Sequence, residues 1–223
     1  LTAFSIAGAL TYIIYIGRGP AIAILLLLAA GLIVRNYLKH KQASKNELDH
    51  TSLKKSASKT VQGIIDESAD NVAKSMYRTK RIFSGVVDGL ASQDANALKK
   101  MRKRVGKFDD EVEELRNHLF YFIKNLDDTS VRGSNFYIMI LANLTDVVQS
   151  LDFIAKKSYK HIDNAHKPLS QAQIQDLKDI EVAFSTSLVA IETAFQNQSF
   201  ADLGVCLEEE STLLQTISDK IDA

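Results

Sequence analysis

The chain has little of what interrupts helices or cross-links small folds. Its 223 residues include one cysteine, Cys206, two prolines and no tryptophan. A single cysteine excludes an internal disulfide and any metal site built from several cysteines, which favours a reducing compartment such as the cytoplasm. Since Pro168 is the only proline after Pro20, we expect long uninterrupted helices over most of the chain.

The chain also lacks a net charge, because 27 basic residues balance 27 acidic ones. Proteins that bind nucleic acids generally carry a basic surplus that displaces counterions from phosphates, so we expect no nucleic-acid partner. The sequence contains no P-loop, no nucleotide-type glycine fingerprint, no HExxH motif and no GxSxG motif. These absences predict a protein that is not an enzyme and that carries no cofactor.

Charge is nearly absent from the N-terminal segment. In the first 34 residues the only charged side chain is that of Arg18, which lies between two apolar runs, 1–16 and 21–34. One continuous helix would place this arginine near the centre of a bilayer, at a cost of about 2.5 to 3.5 kcal/mol. Glycine and proline around it favour a turn instead. The sequence therefore predicts a transmembrane helical hairpin over residues 1–38, with its turn at 17–20.

A basic segment follows the apolar runs. Residues 35–59 contain seven basic side chains and two acidic ones, so the positive-inside rule places this side in the cytoplasm. Residues 39–56 are interpreted as a basic cytosolic linker that is attracted to lipid headgroups, and the lipid bilayer is an expected partner. The alternative is a buried helical hairpin of a soluble protein, but the run from 22 to 33 is apolar on every face.

From residue 57 to residue 223 the apolar spacing is helical, and no strand signal competes with it. Helices are predicted near 57–91, 94–126, 134–165, 170–198 and 199–222. The second has the clearest seam, with unbroken spacings of three and four through Leu98, Met101, Val105, Phe108, Val112, Leu115, Leu119 and Phe122. The fold class is therefore predicted to be all-α, with a transmembrane hairpin followed by a bundle of long helices.

Local signals predict where individual helices begin. Asp94 is the expected N-cap of the second helix. Ser170 and Gln173 have the spacing of a capping box, which opens the fourth helix. The fifth is expected to begin at Ser199, with Asp202 in its first turn. A turn over residues 127–133 is expected to separate the second helix from the third.

Candidate metal ligands are few. No two histidines have the i, i+4 spacing, so solvent-facing side chains are the preferred interpretation for His40, His50, His118, His161 and His166. The acidic clusters at 109–114 and 208–210 are typical of solvated helix faces, with a metal site as the alternative. Asp146 and Asp152 lie in an apolar stripe, but they differ by about 120° around a helix and do not share one narrow face.

Two segments carry a family resemblance, Asn-Leu-Thr-Asp-Val-Val-Gln-Ser-Leu-Asp at 143–152 and Ser-Tyr-Lys-His-Ile-Asp-Asn at 158–164. Together with the apolar runs and the basic linker, they resemble the PhoU-like region attached to long inorganic phosphate transporters of the PiT family, found in some bacteria. The resemblance covers nearly the whole chain. It implies a PhoU-like bundle of repeated three-helix units, whose third helix carries a D-L-E-R-I-G-D pattern associated with metal and phosphate signalling.

Carried over to this sequence, the pattern implies a metal role for Asp146 and Asp152, which match its first and last acids. The central glutamate falls on Val148. A site that lacks its middle carboxylate is expected to bind a multivalent cation weakly or not at all.

The resemblance implies that the chain is part of a cation-coupled inorganic phosphate symporter, a multi-pass protein of the bacterial cytoplasmic (inner) membrane. This part would be the membrane anchor and a regulatory or oligomerising bundle on the cytoplasmic side. The PiT signature G-[AG]-N-D-x-[AS]-N does not occur, so phosphate and the coupling cation are expected to bind the remainder of the membrane domain. A homodimer is a further candidate assembly.

The alternative function is that of a membrane-tethered helical signalling or scaffold protein without transport activity. Two membrane passes and a long helical stalk suit either function. If the bundle consists of two three-helix units, the second has only its first two helices within the sequence. A sixth amphipathic helix is then expected after Ala223.

Overall fold

In the computed structural model the chain divides into two compact units, residues 1–50 and Thr51–Ala223. The residues that the structure describes are 32, 34, 35, 51–55, 60–124, 131–199 and 203–221. The predicted turn at 17–20 and nearly all of the predicted hairpin lie outside them. In the first unit, Leu32, Val34 and Arg35 are helical and exposed.

Every element of secondary structure in the described part of the second unit is a helix. Its five helices are α1 (Val61–Ala91), α2 (Ala95–Lys124), α3 (Val131–Asp163), α4 (Gln171–Asn197) and α5 (Leu203–Ile221). Among these residues there is no strand. The predicted all-α class is therefore confirmed for the part of the chain described here.

The central helix is α1, because it contacts α2, α3 and α4. With neighbours on three sides, it buries more of its circumference than the single apolar stripe that the sequence predicts. Val72, Met76 and Val86 of that stripe are buried. A second line of buried side chains includes small polar residues, namely Ser68, Asn71, Ser75 and Thr79.

The seam of α2 packs as the sequence predicts. Every member is buried except Leu119, which is half-buried, and the helix lies against α1 and α3. Near the start of α2 the two helices approach closely at Gly89, where an added Cβ would lie 2.8 Å from Leu98 Cδ2. The absence of a side chain at Gly89 therefore sets the separation of α1 and α2 at this end.

Two predicted helix starts are confirmed. Asp94 Oδ1 accepts hydrogen bonds from the backbone N–H groups of Asn96 at 2.9 Å and Ala97 at 3.0 Å. Ser170 and Gln173 form the complete capping box at the start of α4. Both are local arrangements, since each needs only residues within one turn of helix.

Two other boundaries differ from the prediction. The fifth helix does not begin at Ser199, because that residue closes α4: Gln198 has a φ of 52° and the Ser199 N–H donates to the Ala194 carbonyl at 3.0 Å. This is the usual left-handed end of a helix, and α5 begins at Leu203, while Asp202 lies outside the described residues. The third helix begins earlier than predicted, at Val131, so Gly133 lies in α3 and not in a turn.

The last two helices lie at the periphery. Among the described helices, α4 contacts α1 and α5, whereas α5 contacts α4 alone. The buried residues of α4 are Leu188 and Ala194. Lys178 on α4 binds Asp88 on α1 at 2.5 Å, and the hydrogen bond that the lysine donates to this carboxylate raises the pKa of the lysine.

Within the described residues, one helix is long and apolar enough to cross a membrane. It is the stretch Ser134–Asp163 of α3, with a mean hydropathy of 1.5 over its best window. The helix packs against α1 and α2, and core helices of water-soluble bundles have the same composition. The predicted spans in residues 1–38 lie outside the described part.

Candidate functional site at the linker clamp

The last residues of the predicted basic linker, 51–55, lie against α1 and α2. Asn71 of α1 is 1% exposed. Both polar atoms of its side-chain amide bind the backbone of Lys54. Its Nδ2 donates to the Lys54 carbonyl at 2.8 Å, and its Oδ1 accepts from the Lys54 N–H at 2.9 Å. A side-chain amide offers one face with a donor and an acceptor, so it can satisfy a backbone residue as a neighbouring strand would.

An ion pair joins the two helices beside the linker. Arg78 on α1 donates to Glu111 on α2 through Nη1 to Oε2 at 2.7 Å and through Nη2 to Oε1 at 3.3 Å. The guanidinium also lies over the ring of Phe108, 4.2 Å from its centroid. Both the two-pronged bond and the stacking depend on the planar guanidinium, which lysine does not provide.

The same carboxylate holds the linker. Glu111 Oε2 accepts a hydrogen bond from the Leu53 N–H at 3.0 Å, and the half-buried Leu53 side chain packs against both hydrophobic clusters of the bundle. Nearby on the surface, Lys55 binds Glu114 at 2.7 Å, and this bond lowers the pKa of the Glu114 carboxyl group.

We call this arrangement the linker clamp: residues 53–55 held by Asn71, Arg78, Glu111 and Glu114. Three of its hydrogen bonds involve the backbone of the linker, and one ion pair involves a lysine side chain. Since a polar group that is removed from water must keep its partners, the buried Asn71 favours the bound linker over a released one.

The acidic residues of α2 do not all behave as predicted. Asp109, Asp110, Glu113 and Glu114 are exposed, in agreement with a solvated helix face. Glu111 differs, because it lies three residues after Phe108 and four before Leu115 and therefore flanks the buried seam toward α1. Of the predicted cluster at 208–210, only the side chain of Glu210 is described, and it is exposed.

A sequence signal for the clamp exists in α1. Polar and apolar residues recur with spacings of four and three along one line: Ile64, Ser68, Asn71, Ser75, Arg78 and Ile82. All six are buried. An arginine and an asparagine on a line that is otherwise suited to a core indicate that another segment of the chain supplies their hydrogen-bond partners. The pattern does not identify that segment.

The structure separates the two aspartates that were predicted as metal ligands. Asp146 is exposed on α3, and the half-buried Asp152 accepts a bond from Lys156 at 2.5 Å. Val148, at the position of the missing glutamate, is 0% exposed in the core. The metal role of Asp146 and Asp152 stays a prediction, and a cation at Asp152 would have to displace the lysine.

The described histidines lie in different surroundings. His161 and His166 stack with their ring centroids 5.4 Å apart, His118 is half-buried, and His40 and His50 lie outside the described residues. Within the described part of the chain, no three histidine, cysteine or acidic side chains come together as ligands for a metal ion.

Comparison with known proteins adds no relative to this picture. No protein-family model, no curated protein and no solved structure matches the chain. Among the described residues, the linker clamp joins three parts of the chain, the linker, α1 and α2, through partly buried polar contacts.

Proposed function

We propose that the chain is the membrane anchor and cytosolic regulatory bundle of a cation-coupled inorganic phosphate transporter in the bacterial inner membrane. The observation that carries this proposal is the linker clamp, which ties the segment following the predicted hairpin to the central helix of the bundle. A bundle that served only as a solubilising appendage would need no buried polar contacts with its linker. The clamp supports a module whose conformation responds to its anchor.

The energy of the clamp suits regulation. Each buried hydrogen-bonding group left without a partner costs about 1 to 3 kcal/mol. Release of Leu53 and Lys54 would strip partners from Glu111 and Asn71, so clamped and released states would differ by a few such contributions. Coupling free energies between distant sites are typically about 1 to 3 kcal/mol. A ligand of the bundle could therefore shift the clamp, and through it the membrane segment.

In this proposal the transport chemistry lies elsewhere. Phosphate and the coupling cation bind the remainder of the transporter membrane domain, and the bundle biases the state of that domain. Asp146 and Asp152 are the proposed points at which a cation would act on the bundle.

The test is uptake of labelled phosphate by bacteria whose only phosphate transporter is the complete reading frame that contains this chain. We expect saturable uptake that stops when the ion gradient is collapsed. Asn71→Ala is expected to change the uptake rate while the protein remains in the membrane, whereas Asn117→Ala, a change of the same kind at an exposed position of α2, is expected to leave it unchanged. Correctly inserted protein without uptake would overturn the transporter assignment.

A membrane-tethered signalling or scaffold protein is the second candidate. The absence of the PiT signature from the sequence favours it, and the linker clamp suits a signalling stalk equally well. Cells that show no phosphate uptake, but in which Asn71→Ala alters a downstream response, would support this function over transport.

A further inference from the structure

The outward face of α2 carries opposite charges on its two halves. Its first half presents Lys99, Lys100 and Lys103, and its second half presents Asp110, Glu113 and Glu114, all of them exposed. Positions 99, 103, 106, 110 and 113 recur at alternating spacings of four and three, so they form one line along the helix. We call this line, with its flanking residues 100 and 114, the α2 charge stripe.

Gly106 lies at the middle of the α2 charge stripe, where the sign of the charge reverses. It is exposed, and an added Cβ would meet nothing within 4 Å. Glycine in a helix interior costs about 1 kcal/mol relative to alanine. Neither a close neighbour nor a positive φ explains it among the described residues. A bare backbone at this position does allow a second helix to approach closely.

We infer that the α2 charge stripe is an isologous interface, in which α2 of one copy packs antiparallel to α2 of a second copy of this chain. The twofold axis passes between Gly106 and Lys107. This axis sets Lys103 opposite Asp110 and Lys99 opposite Glu114, while Lys100 and Glu113, which are about 140° apart around the helix, lie at the two edges of the interface. Twofold symmetry produces each pair twice.

The charge pattern selects this occupant over others. Two parallel α2 helices in register would bring lysine against lysine and carboxylate against carboxylate, which is unfavourable. An anionic surface would bind the lysine half and be repelled by the carboxylate half. A second copy in antiparallel orientation pairs both halves at once, although the axis also brings the exposed Lys107 of each copy close together.

The interface is weak by itself. Surface ion pairs contribute about 0 to 1 kcal/mol each. Glu114 and Glu113 also have partners within the chain, Lys55 at 2.7 Å and Arg116 at 2.8 Å. A shared membrane would raise the effective concentration of the bundles. In this respect the inference rests on the proposed function, since it uses the predicted membrane anchor and gives the oligomerising role a specific surface.

Disulfide trapping in membranes tests the geometry. The full chain is expressed with Cys206→Ser to remove the native thiol, and Gly106→Cys then places one thiol per copy beside the axis. Oxidation with copper phenanthroline is expected to give a disulfide-linked dimer about tenfold faster than Thr193→Cys, at an exposed position on α4, a difference that corresponds to about 1.4 kcal/mol.

Charge reversal tests the complementarity. An acidic variant carries Lys99→Glu, Lys100→Glu and Lys103→Glu, and a basic variant carries Asp110→Lys, Glu113→Lys and Glu114→Lys. With Gly106→Cys, each variant alone is expected to lose most of its trapped dimer. When the two are expressed together under different tags, they are expected to trap each other at least as well as the unreversed chain traps itself. Recovery in the mixture shows that both variants fold.

Equal trapping at Gly106→Cys and Thr193→Cys would overturn the interface, and so would charge reversals that leave trapping unchanged. If one reversed variant fails to accumulate, the interface is tested by trapping of the other variant and by the comparison of Gly106→Cys with Thr193→Cys. Phosphate uptake is measured separately: efficient trapping without uptake would count against the transporter and not against the interface, and uptake without trapping would do the reverse.

Discussion

Arg78 of α1 donates two hydrogen bonds to Glu111 of α2, at 2.7 Å and 3.3 Å, beside the point where the linker meets the bundle. Arg78 is 8% exposed, so neither water nor a neighbouring acid replaces Glu111 at low cost. The pair therefore sets the register of α1 against α2 and presents one carboxylate oxygen to the linker.

Removing Glu111 should leave the arginine charge buried beside Phe108. We expect Glu111→Ala to lower the free energy of unfolding by about 3 kcal/mol. Urea unfolding of the full chain in detergent, followed by circular dichroism, measures this. The control is Glu113→Ala, which breaks an exposed ion pair with Arg116 and should cost at most about 0.5 kcal/mol. Equal effects of the two substitutions would contradict a special role for Glu111.

Asn71 is expected to protect the linker backbone from solvent exchange. In the intact chain the amide hydrogens of Leu53 and Lys54 should exchange slowly, because both are hydrogen-bonded to side chains of the bundle. Asn71→Leu keeps a similar volume but removes the bonds to Lys54, and should accelerate exchange there by about tenfold. Hydrogen–deuterium exchange with mass spectrometry reports this, with the middle of α2 as an internal reference. An unchanged rate would mean that the clamp does not hold the linker in solution.

Two glycines on facing helices should respond oppositely to alanine. Gly89→Ala places a Cβ 2.8 Å from Leu98 Cδ2, and the overlap should destabilise the bundle by about 1 to 3 kcal/mol. Gly106→Ala meets open space, and the better helix propensity of alanine should stabilise α2 by up to about 1 kcal/mol. Thermal unfolding at low protein concentration compares both variants with the unchanged chain. A stabilising Gly89→Ala would show that α1 and α2 are less closely packed than described.

The attachment of α5 to α4 should depend on pH. Hydrogen bonds from Gln175 and Lys220 lower the pKa of Asp179, while the bond to Asp176 and a second to Asp179 raise the pKa of Lys220. A carboxyl group whose pKa is lowered in the folded chain stabilises the contact, and this stabilisation is lost as the pH falls and the carboxylate is protonated. A lysine whose pKa is raised also stabilises the contact, and this stabilisation is lost as the pH rises and the lysine is deprotonated. The attachment should therefore be strongest between about pH 4 and about pH 10.

Hydrogen exchange of α5, corrected for the intrinsic effect of pH, tests this window. Lys220→Met should remove the pH dependence of α5 while leaving α1 and α2 unaffected. A window that persists in this variant would assign the effect to other groups.

Membrane topology follows from the basic linker. Because the basic excess lies after the second apolar run, a reporter fused after Lys59 should be active in the cytoplasm, and one inserted at residues 17–20 should be active outside. Alkaline phosphatase, active only outside, and green fluorescent protein, active inside, distinguish the two sides. Phosphatase activity at Lys59 would contradict the proposed orientation.

Local sequence signals predicted helix starts and the buried seam correctly where all the residues of the signal lie on one helix. The seam from Leu98 to Phe122, the N-cap at Asp94 and the capping box at Ser170 all needed only residues on one element. The start of α5 differs from the prediction because Ser199 belongs to the end of α4, where a left-handed Gln198 closes the helix without a glycine to mark it.

The linker clamp could not be predicted in the same way. Glu111 stands in a run of acidic residues, and only its position relative to Arg78 and Leu53 distinguishes it from its neighbours. Their separations of 33 and 58 residues along the chain depend on how the helices pack. Periodicity identifies a buried line on a helix, but it does not identify which element covers that line.

Asn71 recognises Lys54 through its peptide N–H and carbonyl, while the lysine side chain points into solvent. Substitution of Lys54 by most residues other than proline should therefore leave this contact in place. Inserting or deleting one residue between Lys54 and Thr60, the N-cap of α1, would shift which peptide group reaches Asn71. The contact between Asn71 and Lys54 therefore depends on the number of residues between Lys54 and Thr60 and not on the side chain at position 54. We expect natural variants to differ at position 54 more often than in this spacing.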